Sequence, residues 1–256
     1  MCNIKKWGEI MSTKGNIDAL ELSQLPPTAV VTIPTTITVH LGRPDEEAEN
    51  ITVPYLDYIK NVGSSELYPT WPEDALRANI HAITSIAMNR IYTEWYRARG
   101  YDFDITNSTQ YDQAFVPGRG IFDTIGNIAD EIFTQYIVRE GQLQPLFAQF
   151  CDGRVSQCNG LHQWGTVDLA EAGYTPIEIL RYYYGEDINI VTDAPVGYVG
   201  ASYPGEPLAL SDSSIAVLIV QFELDRIRLN YPGLPPIQQI SGYFDESTEA
   251  AVREFQ

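Results

Sequence analysis

Basic side chains are scarce in this chain: 16 lysines and arginines stand against 34 aspartates and glutamates, a formal net charge of -18. Nucleic acid is held by clustered lysine and arginine, and no such cluster stands out, so no nucleic-acid partner is expected. Cysteine is equally sparse. Cys2, Cys151 and Cys158 are too few for a disulfide scaffold. Long apolar runs are missing as well: nothing approaches the ~18 residues of a membrane span. Residues 1–14 carry Lys5 and Lys6 but no apolar core of signal-peptide length. No membrane span and no export signal are therefore expected, and Met11 is an alternative start. What is present suffices for a packed core, since 44% of the 256 residues are hydrophobic, room for one substantial domain and a smaller one.

Residues 1–28 are polar, end in Pro26 and Pro27, and read as a flexible leader. β-Branched residues dominate 29–40, predicting strands broken at Pro34, and a turn at 42–47 leads to a short strand at 51–53 in a hairpin-like arrangement. Helical spacing of Tyr55, Ile59 and Val62 predicts a helix ending at Gly63. Thr70 and Glu73 have capping-box spacing, and a long central helix is predicted over 71–99. His81, inside it, reads as a packing or surface residue. Residues 101–115 read as a strand entering a loop, 121–137 as a helix, 146–150 as a strand and 165–172 as a helix. Thr175 and Pro176 begin another helix as cap and first residue. The whole is a mixed α+β domain over 29–194.

Residues 195–210, with Pro195, Pro204 and Pro207 among glycines, have linker composition. A small all-α unit over 211–256 follows, with Val217, Gln221, Leu224 and Ile227 at helical spacing and Asp245 or Ser247 as the cap of a last helix.

Several stretches occur in one order: Pro54-Tyr55-Leu56-Asp57-Tyr58-Ile59, Ser65-Glu66-Leu67-Tyr68-Pro69, Trp71-Pro72-Glu73-Asp74-Ala75-Leu76-Arg77-Ala78, Gln163-Trp164-Gly165 and Glu178-Ile179-Leu180-Arg181-Tyr182-Tyr183-Tyr184-Gly185. Together they resemble the stage II sporulation protein D family (SpoIID/LytB), over most of residues 37–191. That resemblance implies a lytic transglycosylase acting on peptidoglycan glycan strands, with Glu66 as the single catalytic acid/base and no cofactor. Gln113, Gln163, Trp164 and Tyr68 are the implied substrate contacts. Residues 213–224 and 242–256 resemble the peptidoglycan-binding repeat module of wall hydrolases, incomplete after Phe255-Gln256. The paired resemblances imply a bacterial protein of sporulation or wall remodelling, located in a spore envelope, mother cell, cell wall or phage-like particle.

Two departures from the family pattern carry their own expectations. The segment before Gln163 is short, with Cys151, Cys158 and Asn159, and His162 stands where a serine is usual. Cys151 and Cys158 read as paired or free thiols. With His162 they would supply three metal ligands, though the spacing matches no established zinc pattern. A catalytic thiol is a third reading. The alternative for the whole chain is a non-catalytic peptidoglycan-binding protein of a spore layer or phage tail.

Overall fold

The computed structural model of the chain describes residues 31–140, 142, 144–200, 207–228 and 231–256. The expected leader, with Cys2 and Met11, lies outside these residues, as does part of the expected linker. The described residues divide into two compact units, one spanning Val31–Val199 and one from Gly200 onward. Among them are seven α-helices and nine short strands, a mixed α+β fold. No helix among the described residues is long and apolar enough to cross a membrane.

In the larger unit the β-branched run forms β1 (Ile33–Pro34) and β2 (Thr36–His40). β2 pairs antiparallel with β3 (Asn50–Pro54), from Thr36 opposite Pro54 to His40 opposite Asn50. β4 (Ile105–Thr106) adds to the other edge of β2 in parallel. The turn is pinned by the buried His40, whose Nδ1 lies 2.6 Å from Asn50 Oδ1 and whose Nε2 lies 3.0 Å from the Arg43 carbonyl.

Helix α1 (Tyr55–Glu66) leaves β3 directly and passes through Gly63 rather than stopping there. A Cβ on Gly63 would lie 2.9 Å from Cγ2 of Ile125, on helix α3 (Asp123–Ile132). The glycine therefore serves close helix approach, and its lack of a side chain does not end the helix. The added turn carries Glu66.

Helix α2 (Glu73–Tyr92) is buried on every side through its middle, with residues 78–90 all buried. Its N-cap is Pro72, without a side-chain cap. Glu73 pairs with Arg77 at 2.7 Å, so the expected capping box with Thr70 does not form. The helix also ends earlier than expected, where the backbone leaves the helical region at Glu94 with a φ of 47°. A 3-10 turn at Arg97–Arg99 follows.

The helical pattern expected to Ile137 stops at Ile132. Tyr136 and Ile137 belong instead to β5 (Tyr136–Arg139), antiparallel to β8 (Ile188–Val191). Ser85 of α2 accepts the Ile137 N–H at 2.8 Å and draws this strand onto the central helix. The strand expected at 146–150 is reduced to β6 (Phe150–Cys151), which runs parallel to β7 (Leu161–His162). α4 (Gln163–Glu171) and α5 (Pro176–Tyr184) complete the layer around α2, and Thr175 and Glu178 form a full capping box on α5. β9 (Val196–Gly197) returns to pair with β1, so the first unit continues past residue 194, to Val199.

The second unit contains α6 (Ile215–Arg228) and α7 (Glu246–Phe255) around Leu224, Leu234 and Ala251. Asp245 caps α7 by accepting the Thr248 N–H at 2.8 Å. Gln221 is wholly buried and satisfied. Its Oε1 accepts the Ser241 and Gly242 N–H groups, and its Nε2 donates to the Tyr243 carbonyl and the Thr248 hydroxyl.

Candidate active site

Glu66 is the last residue of α1, where the extra turn past Gly63 brings its carboxyl under the loop 107–118. Oε1 accepts the backbone N–H of Ala114 at 2.8 Å, and Oε2 accepts Nε2 of Gln163 at 3.2 Å. Burial pushes its pKa above the ordinary 4.5, while these two hydrogen bonds pull it back. Desolvation is the larger effect and disfavours the charged form, which the two donors favour.

The Ala114 amide is held in place by buried polar anchors. The Asp112 side chain is fully inaccessible and bonds to Arg90 Nε at 2.7 Å, to the Tyr96 hydroxyl at 2.6 Å and to the Thr106 N–H at 3.0 Å. Arg90 in turn faces the rings of Trp95 and Phe147. On the other side of Ala114, Asn61 of α1 clamps Val116 by both amide atoms, accepting its N–H and donating to its carbonyl. Gln113 lies between these anchors. It is 0% exposed, accepts from the Tyr58 hydroxyl at 2.9 Å and donates to the Ile83 carbonyl at 3.1 Å. An expected substrate contact is thus a residue whose amide is spent inside the protein, where it orients its neighbour Ala114.

Gln163 is also buried, at the start of α4. Asn79 of α2 donates to the Thr166 hydroxyl at 2.8 Å, and Thr166 donates to the Gln163 carbonyl at 2.6 Å. Gly165, within the first turn, leaves room for Tyr183, since a Cβ there would lie 2.1 Å from the Tyr183 hydroxyl. The Gln163 side chain therefore reaches Glu66 from a fixed helix end.

Beside the carboxyl, Tyr68, Trp71 and Trp164 form an aromatic cluster. Their ring centroids lie 4.8 Å (Trp71 to Trp164), 5.4 Å (Tyr68 to Trp164) and 5.6 Å (Tyr68 to Trp71) apart. Tyr68 is 57% exposed and offers ring surface, whereas Trp164 is half-buried behind it. The guanidinium of Arg154 sits 3.5 Å over Trp164. On the other flank, Trp71 borders a cavity of about 360 Å³ walled by Glu73 and Arg77 of α2 and by Asp123, Asn127 and Glu131 of α3. That volume lies within the range of ~300–1,000 Å³ common for small-molecule sites.

Arg154 is carried by the segment that contains the cysteines. Cys151 and Cys158 are joined by a disulfide, and one donor atom from each of Cys151, Cys158 and His162 lies within 4.8 Å of the others.

The structure brings Glu66, Gln163, Trp164 and Tyr68 together and places Gln113 behind them. Ala114, Asn61, Asn79, Asp112 and Arg154 were not picked out from the sequence. The signal available was polar residues, Asn61 and Asn79, at core-facing helical positions, where an amide needs a partner. Comparison of the chain with protein-family models, with curated proteins and with solved structures finds no match.

Proposed function

We propose that this chain is a lytic transglycosylase-like protein that cleaves peptidoglycan glycan strands between N-acetylmuramic acid and N-acetylglucosamine, with Glu66 as sole acid/base. The observation that carries the reading is one carboxyl, raised in pKa by burial and held by the Ala114 amide and Gln163, close in sequence to the exposed ring of Tyr68, which packs on Trp164. The ordered motifs that resemble SpoIID/LytB point the same way.

Oε1, bonded to an N–H at 2.8 Å, takes the carbonyl role of the protonated acid, and Oε2, under the longer 3.2 Å bond, carries the proton. The acid gives that proton to the glycosidic oxygen as the bond to the muramoyl anomeric carbon breaks. The C6 hydroxyl of the same sugar then attacks that carbon, and its proton returns to Glu66. The product is a 1,6-anhydro ring and no water is consumed, so the second carboxylate that hydrolysis usually requires is unnecessary. Tyr68 provides an exposed flat face for pyranose stacking, and Trp164 backs it.

A second reading has its own support. Both carboxyl oxygens already hold protein donors, as they would in a residue that only pins the loop 107–118 to α1. A fold retained for binding glycan without cutting would look the same. Incubation of the protein with glycan strands stripped of stem peptides, followed by mass spectrometry, separates the two. Anhydromuramic ends in the wild type that vanish in Glu66→Gln support cutting, whereas strand binding with no released fragments selects adhesion.

A further inference from the structure

The cysteine segment is built more tightly than a surface loop requires. β6 and β7 place Cys151 opposite His162 in register. Gly153 has a φ of +80°, and a Cβ on it would lie 2.5 Å from the His162 Cβ, so only glycine lets the loop fold onto the imidazole. The Asp152 carboxylate accepts the N–H groups of Arg154, Val155 and Ser156 and fixes the turn. These bonds hold its pKa down at about 2.

We propose that, once the Cys151–Cys158 bond is reduced, Cys151, Cys158 and His162 form a three-ligand site for a soft divalent transition metal such as Zn²⁺. The disulfide backbone already holds the two Cα atoms 6.1 Å apart, with one donor atom from each of the three residues inside 4.8 Å. Tetrahedral zinc, with bonds of about 2.3 Å to sulfur and about 2.0–2.1 Å to nitrogen, sets its thiolates about 3.8 Å apart, a separation within reach of side-chain rotation. His162 Nε2 lies 3.1 Å from the Cys158 carbonyl. A carbonyl can only accept, so Nε2 carries the hydrogen and Nδ1 keeps its lone pair. Orientation of one ring nitrogen by a carbonyl is the usual support of a metal-bound imidazole. All three residues are half-buried, accessible to an ion and to a reductant.

Binding releases the two thiol protons, and two thiolates neutralise the charge of the dication. Asp152 is committed to its turn, so the fourth position is open to water. Either linkage holds the same segment. The Asp152 carbonyl accepts the Trp164 N–H at 3.1 Å and Arg154 covers the indole. Metal would therefore keep this aromatic face assembled where a dithiol-rich environment opens the disulfide. Metal binding itself does not rest on the glycan-cleavage reading.

The test uses the full chain carrying Cys2→Ser, so that Cys151 and Cys158 are the two remaining thiols, reduced with a phosphine under anaerobic conditions and titrated with Co²⁺. One equivalent should produce thiolate-to-cobalt charge-transfer absorption in the near ultraviolet and the visible bands of a four-coordinate ion, all removed by Zn²⁺. The oxidised chain should show neither. His162→Ala should bind at least about tenfold more weakly, a loss seen even when an outer partner of a ligand is removed. Absence of charge-transfer bands in the reduced parent, or a His162→Ala titration that overlays the parent's, overturns the proposal. The parent titration decides by itself if the variant does not fold.

Discussion

One oxygen of the Glu66 carboxyl accepts the backbone N–H of Ala114 at 2.8 Å, across 48 residues of chain. The contact joins the end of α1 to a loop with little secondary structure of its own. The candidate acid is therefore only as well placed as that loop.

The loop's main anchor is the buried pair Arg90 and Asp112. Removing one partner leaves an uncompensated buried charge, a loss of about 3–5 kcal/mol. Arg90→Met should lower stability by that amount in urea denaturation. In folded protein at low temperature it should also speed hydrogen exchange at the Ala114 amide, which a purely global destabiliser would not do selectively.

Gly165→Ala should cost about 1–3 kcal/mol through overpacking, because its Cβ would lie 2.1 Å from the Tyr183 hydroxyl. Tyr183→Phe removes that oxygen and should restore part of the loss. A double-mutant cycle by thermal denaturation reads the coupling. Additive effects would place the strain elsewhere.

His81 is buried in α2, its Nδ1 has no hydrogen-bond partner among the described residues, and burial with Arg77 nearby lowers its pKa from 6.5 to about 4. The unfolded chain takes up this proton first as pH falls. Stability is thus fully present above pH 6.5 and declines down to about pH 4, by roughly 3 kcal/mol from the two-to-three-unit difference. His81→Leu should flatten this part of the stability-versus-pH curve. An unchanged slope would show that other groups set it.

Glu66 works in the opposite sense. Its folded pKa is raised above 4.5, so the folded state holds the proton longer than the unfolded chain does. This contribution is fully present below pH 4.5 and is lost as pH rises through the folded value. The stability of the wild type relative to Glu66→Gln should fall across that window in paired denaturation curves. A difference that grows with pH would mean the carboxylate is the favoured form.

Much of the scaffold is legible in the residues themselves. β-Branched side chains mark β2, Thr175 and Pro176 mark the start of α5, and Asp245 marks the cap of α7, because each is a local steric or hydrogen-bonding preference. The misread positions are those where tertiary contact decides. Gly63 reads as a stop until Ile125 is seen against it. Tyr136 and Ile137 fit a helical period but are drawn into a strand by Ser85 and β8. The candidate acid could be singled out from its motif, but its principal partner could not, because a backbone amide has no signature in side-chain identity. Gln113 shows the same limit: a polar residue in a loop looks exposed until Tyr58 and the Ile83 carbonyl are found to satisfy it.

The most direct test is a carboxyl-carbon NMR titration of Glu66 in the folded protein, with Glu66→Gln to assign the resonance. The expected midpoint lies above 4.5 and moves further upward in Gln163→Leu as a donor to the charged form is lost. A midpoint at or below 4.5 would contradict it, because the carboxyl would then be ionised where it is required to hold a proton.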